Sequence, residues 1–463
     1  MKKTKIITSL GPSSYYPDIF EKMVYAGANV GRINFSHATA EEKIQDVETV
    51  KEVRRRTGYE IGILYDTKGP EFRNDLMEND SIELIEGKTI KIVKEEVLGN
   101  QERFSVNHPQ AIDSLNVGNV ILLENGLMKI EVIEKTDDYV NCKIINGGTL
   151  GNKKSLNAPG VKLDIPFISE ADREDLIYAA THDGDYIALS FTSTKEDVLE
   201  AKALMSQYNK NIKYIAKIES TTGIENLDEI IEVSDGIMVA RGDLGVEVDV
   251  AMLPIYQKMM IEKCRKAGKF VIVATEMLET MKKNMRPTRA EVSDVANAVL
   301  NGTDAVMLSG ETTQGKYPIE TVDYMAKICE NSENFYEYGK DSTEIKNIAD
   351  VIAKNVVDCT YNMDIKAIIV PINQGSTVKR ISNLKPKAPI IALCHDKDVA
   401  SKLTLNYGIY TMITPMLKTT DEVLEKAKEV AKSVVQLKNG DKIIIAGSFP
   451  LGKKTNMMQI EEI

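Results

Sequence analysis

Residues 61–70 read Ile61-Gly62-Ile63-Leu64-Tyr65-Asp66-Thr67-Lys68-Gly69-Pro70. A short apolar run built for a strand ends in polar residues and then in a Gly-Pro break. Strand-like runs recur through the first 340 residues, at 4–10, 30–35, 186–191, 213–218, 236–240, 270–274 and 305–308. Between most of them lie helix-like stretches with readable ends. The stretch 18–26 stops at Gly27, and Ser169-Glu170-Ala171-Asp172 is a capping box that opens a helix through Thr181. Others cover 195–208, 253–267 before Gly268, and 288–300 after Pro287. Strands alternating with helices imply parallel β-α-β units, and eight of them predict a (β/α)8 barrel of the TIM type.

Beyond Pro70 the rhythm changes. Up to about residue 163 the chain shows strand-like runs at 81–85, 89–93, 120–123, 129–133 and 139–145, separated by Gly and Asn turns. This predicts a β-rich domain inserted between the third and fourth barrel strands. It would leave the barrel beside Asp66, on the face where barrel enzymes hold their sites, and could act as a lid that excludes water. After about residue 340 a second α/β pattern begins. Runs at 366–371, 389–393, 408–413 and 442–446 alternate with helices at 345–361 and 421–437. Four strands are too few for another barrel, so an open, mostly parallel sheet is expected. The predicted architecture is therefore α/β: a barrel from 1–69 and 164–340, an inserted β lid from 70–163, and a C-terminal α/β sheet domain from 341–463.

Composition narrows the function classes. The 463 residues are 43% apolar and 27% charged, enough to bury a core, and the formal net charge is −11. That acidity argues against a broad nucleic-acid or anionic-membrane surface. No apolar run approaches the roughly 18 residues of a membrane span. The start, Met1-Lys2-Lys3-Thr4-Lys5-Ile6-Ile7, lacks the apolar stretch of a signal peptide. Cys142, Cys264, Cys329, Cys359 and Cys394 are widely spaced with no C-x-x-C pair, so they fit buried thiols in a reducing cytoplasm better than zinc or disulfides.

Strand parity then selects candidate functional side chains, because residues two apart share a face. Arg32, Asn34 and Ser36 alternate with Ile33 and Phe35, and Lys217 and Glu219 flank Ile218. Strand-like runs end in Asp66-Thr67-Lys68-Gly69, Lys217-Ile218-Glu219, Arg241-Gly242-Asp243, Thr275-Glu276 and Ser309-Gly310-Glu311. Polar groups gathered at strand C-termini are expected of a barrel active site. Taken singly, each also reads as a solvated loop residue. A Lys within an apolar strand, two residues from a Glu, calls for a ligand, an ion or a buried Lys217–Glu219 pair. Glu219 and Asp243 suit a hard divalent cation such as magnesium. Asn34, Ser36, Asp66 and Thr67 form a second oxygen-rich set, with one carboxylate among neutral oxygens, better suited to a monovalent ion. Arg32, Arg73 and Lys217 can meet a phosphoryl group. Two near matches to a phosphate-binding loop fail, because Tyr317 and Lys454 stand where the motif needs Ser or Thr. His108, His182 and His395 show no ligand spacing; only His37 lies near the predicted site.

Several motifs resemble those of the pyruvate kinase family. They are Thr4-Lys-Ile-Ile-Thr-Ser-Leu-Gly-Pro12, Arg32-Ile-Asn-Phe-Ser-His37, Asp66-Thr-Lys-Gly-Pro-Glu-Phe-Arg73, Ala216-Lys-Ile-Glu219, Met238-Val-Ala-Arg-Gly-Asp-Leu-Gly-Val-Glu247 and Met307-Leu-Ser-Gly-Glu-Thr312. Their order around one inserted domain matches from nearly the first residue to the last. The resemblance implies phosphoryl transfer from phosphoenolpyruvate to ADP, giving pyruvate and ATP at the last step of glycolysis, in a cytoplasmic homotetramer. It implies that Lys217 stabilises the transferring phosphoryl group and that Glu219 and Asp243 hold Mg2+ or Mn2+. Asn34, Ser36, Asp66 and Thr67 match K+ ligands. Arg32, Gly242 and Thr275 match phosphoenolpyruvate contacts, Asp243 borders the same substrate, and Thr275 lies near the proton delivered to enolpyruvate. Arg73, His37 and Lys153 match nucleotide contacts, with Asn34 beside them. In the family, an acid at the position of Glu71 accompanies potassium dependence and a lysine accompanies independence. Glu276 departs from the usual Gln.

Asn373-Gln-Gly-Ser-Thr377 partly resembles a loop that holds effector phosphates in regulated members. Ser376 and Thr377 are thus candidates for a sugar-phosphate site, and a helix cap at Ser376 explains the same letters. The chain ends soon after its last predicted strand, without the extra C-terminal domain of some bacterial members. The competing enzyme reading is a magnesium-dependent barrel lyase or aldolase acting on pyruvate or phosphoenolpyruvate, with Lys217 forming a Schiff base. A non-enzymatic reading makes the C-terminal domain a metabolite sensor on a decayed barrel.

Overall fold

The computed structural model describes residues 1–36, 39–208, 211–339, 345–372, 375–448 and 451–463. Eight parallel strands close into a barrel: Lys5–Ser9, Val30–Asn34, Gly62–Asp66, Tyr186–Leu189, Lys213–Ile218, Gly236–Ala240, Phe270–Ala274 and Ala305–Leu308. The first strand pairs with both the second and the eighth, which seals the ring. The helices between them start and stop on local chemistry. Ser169 and Thr288 make reciprocal capping boxes with Asp172 and Glu291, and Gly268 ends Leu253–Ala267 in the left-handed conformation at φ 74°.

The barrel has two cores. The outward faces of its strands pack against the surrounding helices through residues such as Ile6, Ile33, Ile63, Ile187, Ile237 and Val273. The inward faces supply Ile7, Val30, Leu64, Ala188, Ile215, Met238, Ile272 and Met307. Leu405, from the C-terminal domain, belongs to this inner cluster and plugs the base of the barrel. Going up a strand by two residues on the inner face takes Val30 to Arg32, Leu64 to Asp66, Ala188 to Ser190 and Ile215 to Lys217. One periodicity thus fills the barrel with apolar groups and places polar ones at its C-terminal mouth.

The insertion between the third and fourth strands forms a six-stranded sheet, in the order Leu156–Asn157, Val120–Leu123, Met128–Lys135, Tyr139–Asn146, Thr89–Val93, Arg103–Ser105. A two-stranded sheet, Ser81–Leu84 with Gly148–Gly151, lies beside it. It has its own apolar core around Phe104, Ile121, Ile130 and Val140. The C-terminal sheet runs Ile409–Ile413, Ile390–Cys394, Ile365–Ile372, Lys442–Gly447, Met457–Glu462, with apolar clusters on both faces. Its last strand is antiparallel and was not foreseen, because Met457-Met-Gln-Ile-Glu-Glu462 is a half-exposed edge without an apolar run. Cys142, Cys264, Cys329 and Cys394 are buried free thiols, and Cys359 is partly buried. Among the described residues no helix is long and apolar enough to cross a membrane.

Candidate active site

Strand register gathers the polar residues at the barrel mouth. Arg32 pairs with Leu64, and Asn34 with Asp66 two residues further up. The Arg32 guanidinium donates from Nε to Asp66 Oδ2 at 2.7 Å and from Nη1 to Ser9 Oγ at 2.8 Å. Across the barrel, Lys217 Nζ lies 3.0 Å from Asp66 Oδ1, 3.1 Å from Glu219 Oε1 and 2.6 Å from Ser190 Oγ. The Lys217–Glu219 pair admitted by the sequence is therefore present, but as one edge of a wider network. Asp66 carries both cations, Arg32 on one oxygen and Lys217 on the other.

Electrostatics follow from burial. Burial works against the Asp66 carboxylate, yet Lys217 and Arg32 together hold its pKa below the ordinary value. Burial likewise opposes the Lys217 charge, but Asp66 and Glu219 outweigh it and raise the lysine's pKa. Glu219 has the opposite balance. Burial pushes its carboxyl up to about 7, with Lys217 opposing and nearby Asp243 adding to the rise. Its other oxygen accepts the Phe191 N–H at 2.5 Å.

The sixth and seventh strands contribute a strained corner. Thr275 and Glu276 both adopt left-handed backbone, at φ 68° and 54°. Such residues cost of order 1–3 kcal/mol each and persist only when their surroundings enforce them. Here Arg241 enforces them: Nη2 donates to the carbonyls of Thr275 at 2.8 Å and Glu276 at 3.2 Å, while Nη1 holds Asp294 at 2.7 Å. Thr275 Oγ1 accepts the Gly242 N–H at 2.7 Å, so the Gly242 and Thr275 sites predicted from sequence stand in direct contact. Asp243 follows in the first turn of the helix Arg241–Glu247.

On the lid side, Arg73 makes a forked pair with Glu71, at 2.8 and 2.7 Å, and donates to the Lys153 carbonyl at 2.7 Å. Lys68 approaches the same Glu71 carboxylate at 3.4 Å. Arg73, Glu71 and Asp243 line one cleft of about 190 Å³ between lid and barrel, which Glu247 and Asn157 also border. Lys153 reaches this group through its backbone, and its side chain is exposed. His37 lies outside the described residues. Asn34 Oδ1 accepts the Ser36 N–H at 3.1 Å, which places both near Asp66.

Ser190 is the buried member of the network that sequence reasoning missed. A usable signal existed: Tyr186, Ala188 and Ser190 share one face of the fourth strand, and Ser190 is its first polar position. Ser376 and Thr377 sit far from the barrel mouth, in the C-terminal domain. The helix-cap reading of Ser376 is corrected by the geometry: Gly375 at φ 77° occupies the cap, no side chain caps the helix, and Ser376 is its first residue.

A (β/α)8 barrel with a lid over its C-terminal mouth, and paired acids and cations inside that mouth, defines a phosphoryl-directed barrel enzyme. The comparisons give the family. Residues 1–322 match the model described as pyruvate kinase, barrel domain, and residues 350–461 the model described as pyruvate kinase, alpha/beta domain. The chain is 43% identical over 472 residues to a pyruvate kinase of Geobacillus stearothermophilus, covering 100% of this chain and 80% of the relative. It is 44% identical over 470 residues to one of Staphylococcus haemolyticus, covering 99% and 80%. A crystal structure of a pyruvate kinase from Cryptosporidium parvum superposes with a TM-score of 0.95 at 36% identity, covering 100% of this chain and 96% of that one. The chain belongs to the pyruvate kinase family.

Proposed function

We propose that this chain moves the phosphoryl group of phosphoenolpyruvate to ADP, forming pyruvate and ATP, at the mouth of its barrel. The observation that carries the reading is the Lys217 ammonium, held among Asp66, Ser190 and Glu219 beside Arg32. Phosphoryl transfer is catalysed mainly by positioning and by stabilising charge on the equatorial oxygens. Lys217 and Arg32 supply fixed positive charge to those oxygens. Arg73 and Lys153 receive the nucleotide phosphates from the lid side, and His37 is assigned to the same phosphates from its sequence motif. The Gly242 backbone and Thr275, which contact each other, take the contacts to phosphoenolpyruvate, and Thr275 borders the carbon that takes up the proton. The lid keeps water from intercepting the phosphoryl group.

Glu219 and Asp243 fit a divalent cation, Mg2+ or Mn2+. The support is Glu219 itself: burial and Asp243 make its negative charge costly, and a cation held by these acids would offset that cost. Magnesium commonly takes one or two carboxylates and completes its shell with substrate oxygens and water. When bound, the cation supplies positive charge to the phosphoryl oxygens. Asn34, Ser36, Asp66 and Thr67 offer three neutral donors and one carboxylate on adjoining strand ends, a charge set suited to K+.

The lyase alternative needs Lys217 as a free amine. Two carboxylates within 3.1 Å favour the ammonium instead, which argues against a Schiff base. Lys217→Met tests the assignment: the variant is expected to fold and bind phosphoenolpyruvate yet lose phosphoryl transfer by about 10²- to 10³-fold, in line with the loss of one preorganised charge. Near-native ADP phosphorylation by it would remove Lys217 from the mechanism.

A second site is favoured by a separate observation. Ser376, Thr377, Arg380, Lys418, Lys453 and Thr455 line a cavity of about 780 Å³ in the C-terminal domain. Its hydroxyl groups and cations suit a sugar phosphate acting as an effector. Activation assayed at subsaturating phosphoenolpyruvate, and repeated with Ser376→Ala, checks this. No response of the native enzyme to sugar phosphates would discard it.

A further inference from the structure

Ser190 is 2% exposed and sits just past the fourth barrel strand. Its hydroxyl meets three groups: Lys217 Nζ at 2.6 Å, the Thr67 carbonyl at 2.6 Å and Asp66 Oδ1 at 3.3 Å. Its own N–H donates to Thr67 Oγ1 at 3.1 Å. A hydroxyl has one hydrogen and two lone pairs. With the hydrogen given to the Thr67 carbonyl, a lone pair faces the ammonium. The loop allows little play. Gly69 has φ +72°, and a Cβ there would come within 2.9 Å of both Ser190 Cβ and the Ser190 carbonyl. Phe191, at φ 56°, turns its N–H onto Glu219.

The Lys217 ammonium donates to Asp66 and Ser190 and pairs in charge with Glu219 at 3.1 Å. Two of these partners are carboxylates, which offset its charge as they hold it. Ser190 is the neutral one. It fixes direction while leaving the positive charge intact. Asp66 is further committed to Arg32, so it cannot turn to follow the lysine.

We propose that Ser190 is a positioning residue for phosphoryl transfer: its hydroxyl holds the Lys217 ammonium at the barrel mouth through a neutral acceptor, aimed at the phosphoryl oxygens. This rests on the role assigned to Lys217 above. A misdirected cation at a preorganised site costs rate more than substrate affinity.

The test compares Ser190→Ala, Ser190→Cys, Ser190→Thr and Lys217→Met in the full-length protein. It measures kcat, KM for phosphoenolpyruvate, phosphoenolpyruvate affinity by calorimetry, and thermal unfolding. Ser190→Ala and Ser190→Cys are expected to lower kcat by about 10- to 100-fold while KM and affinity stay within about threefold, and Ser190→Thr, which keeps the hydroxyl, to recover most of that loss. Cysteine preserves the packing but is a weak acceptor, so it separates loss of the hydrogen bond from loss of fold. A native kcat in Ser190→Cys, or equal damage in the Thr and Cys variants, overturns the positioning role while leaving Lys217 in place. An active Lys217→Met overturns the assignment on which it rests.

Discussion

Lys217 and Asp46 face the same desolvation problem and meet it in opposite ways. Lys217 is surrounded by acceptors and stays charged. Asp46, buried on the helix Ala40–Thr57, has one oxygen with no hydrogen-bond partner, and burial, with Glu42 adding, pushes its pKa from the ordinary 3.8 up to about 7. An acid raised on folding binds more protons in the folded than in the unfolded state between those values, so stability falls as pH rises from about 4 to about 7. Asp46→Asn is expected to flatten that slope and to gain on the order of a few kcal/mol at pH 8 relative to the native chain. Urea unfolding at pH 4.5 and pH 8 checks it; an unchanged slope would mean that Asp46 ionises freely. Glu71 carries a second residue-scale prediction. It is an acid paired with Arg73 and Lys68, and under the proposed K+ assignment Glu71→Lys should reduce the stimulation of activity by K+. Activity equal with and without K+ in the native enzyme would refute this.

At the scale of elements, the sequence was most readable where periodicity is strict. The boundaries of the strands Lys213–Ile218, Gly236–Ala240, Phe270–Ala274 and Ala305–Leu308 coincide with the runs read from sequence, because apolar residues bounded by polar ends leave little choice of register. The same parity put Arg32, Asp66, Lys217 and Glu219 within reach of each other. It would also have selected Ser190, which lies inside the run read at 186–191 on the face of Tyr186 and Ala188, had that run's polar position been weighed with the other strand ends. Periodicity had no information about Thr275 and Glu276, whose left-handed backbone is imposed by Arg241 from another strand end, nor about the Ser376 helix, where Gly375 took the cap. Arg241→Ala should therefore loosen the Thr275 corner and destabilise the protein by roughly 1–3 kcal/mol, because two carbonyls lose a buried charged donor while the half-exposed Asp294 can turn to water. Thermal unfolding together with KM for phosphoenolpyruvate measures both effects. An unchanged KM would separate Arg241 from Thr275.

At the scale of the molecule, the C-terminal domain is part of the barrel's support. Leu405 fills the barrel base, Tyr186 donates to the Ser401 carbonyl at 3.3 Å, Lys5 donates to the Ile409 carbonyl, and the Lys385–Asp304 pair is buried across the same junction. Leu405→Ala should cost about 2–5 kcal/mol, the usual range for a leucine deleted from a packed core. The loss should appear as an earlier unfolding transition of the barrel; a melting curve in which the barrel is unaffected would contradict the shared core. The net charge of −11 takes on a local meaning as well. It is compatible with anionic substrates because acids at the barrel mouth hold the cations that meet them: Asp66 holds Arg32 and Lys217, and Glu219 and Asp243 are assigned to a divalent ion. Phosphoryl transfer at the barrel mouth is tested most directly by pyruvate formation from phosphoenolpyruvate and ADP, with Mg2+ and K+ each present or withheld. Pyruvate and ATP are expected in equal amounts when both ions are present, with the rate collapsing without Mg2+ and falling without K+. No pyruvate with both ions present would contradict it.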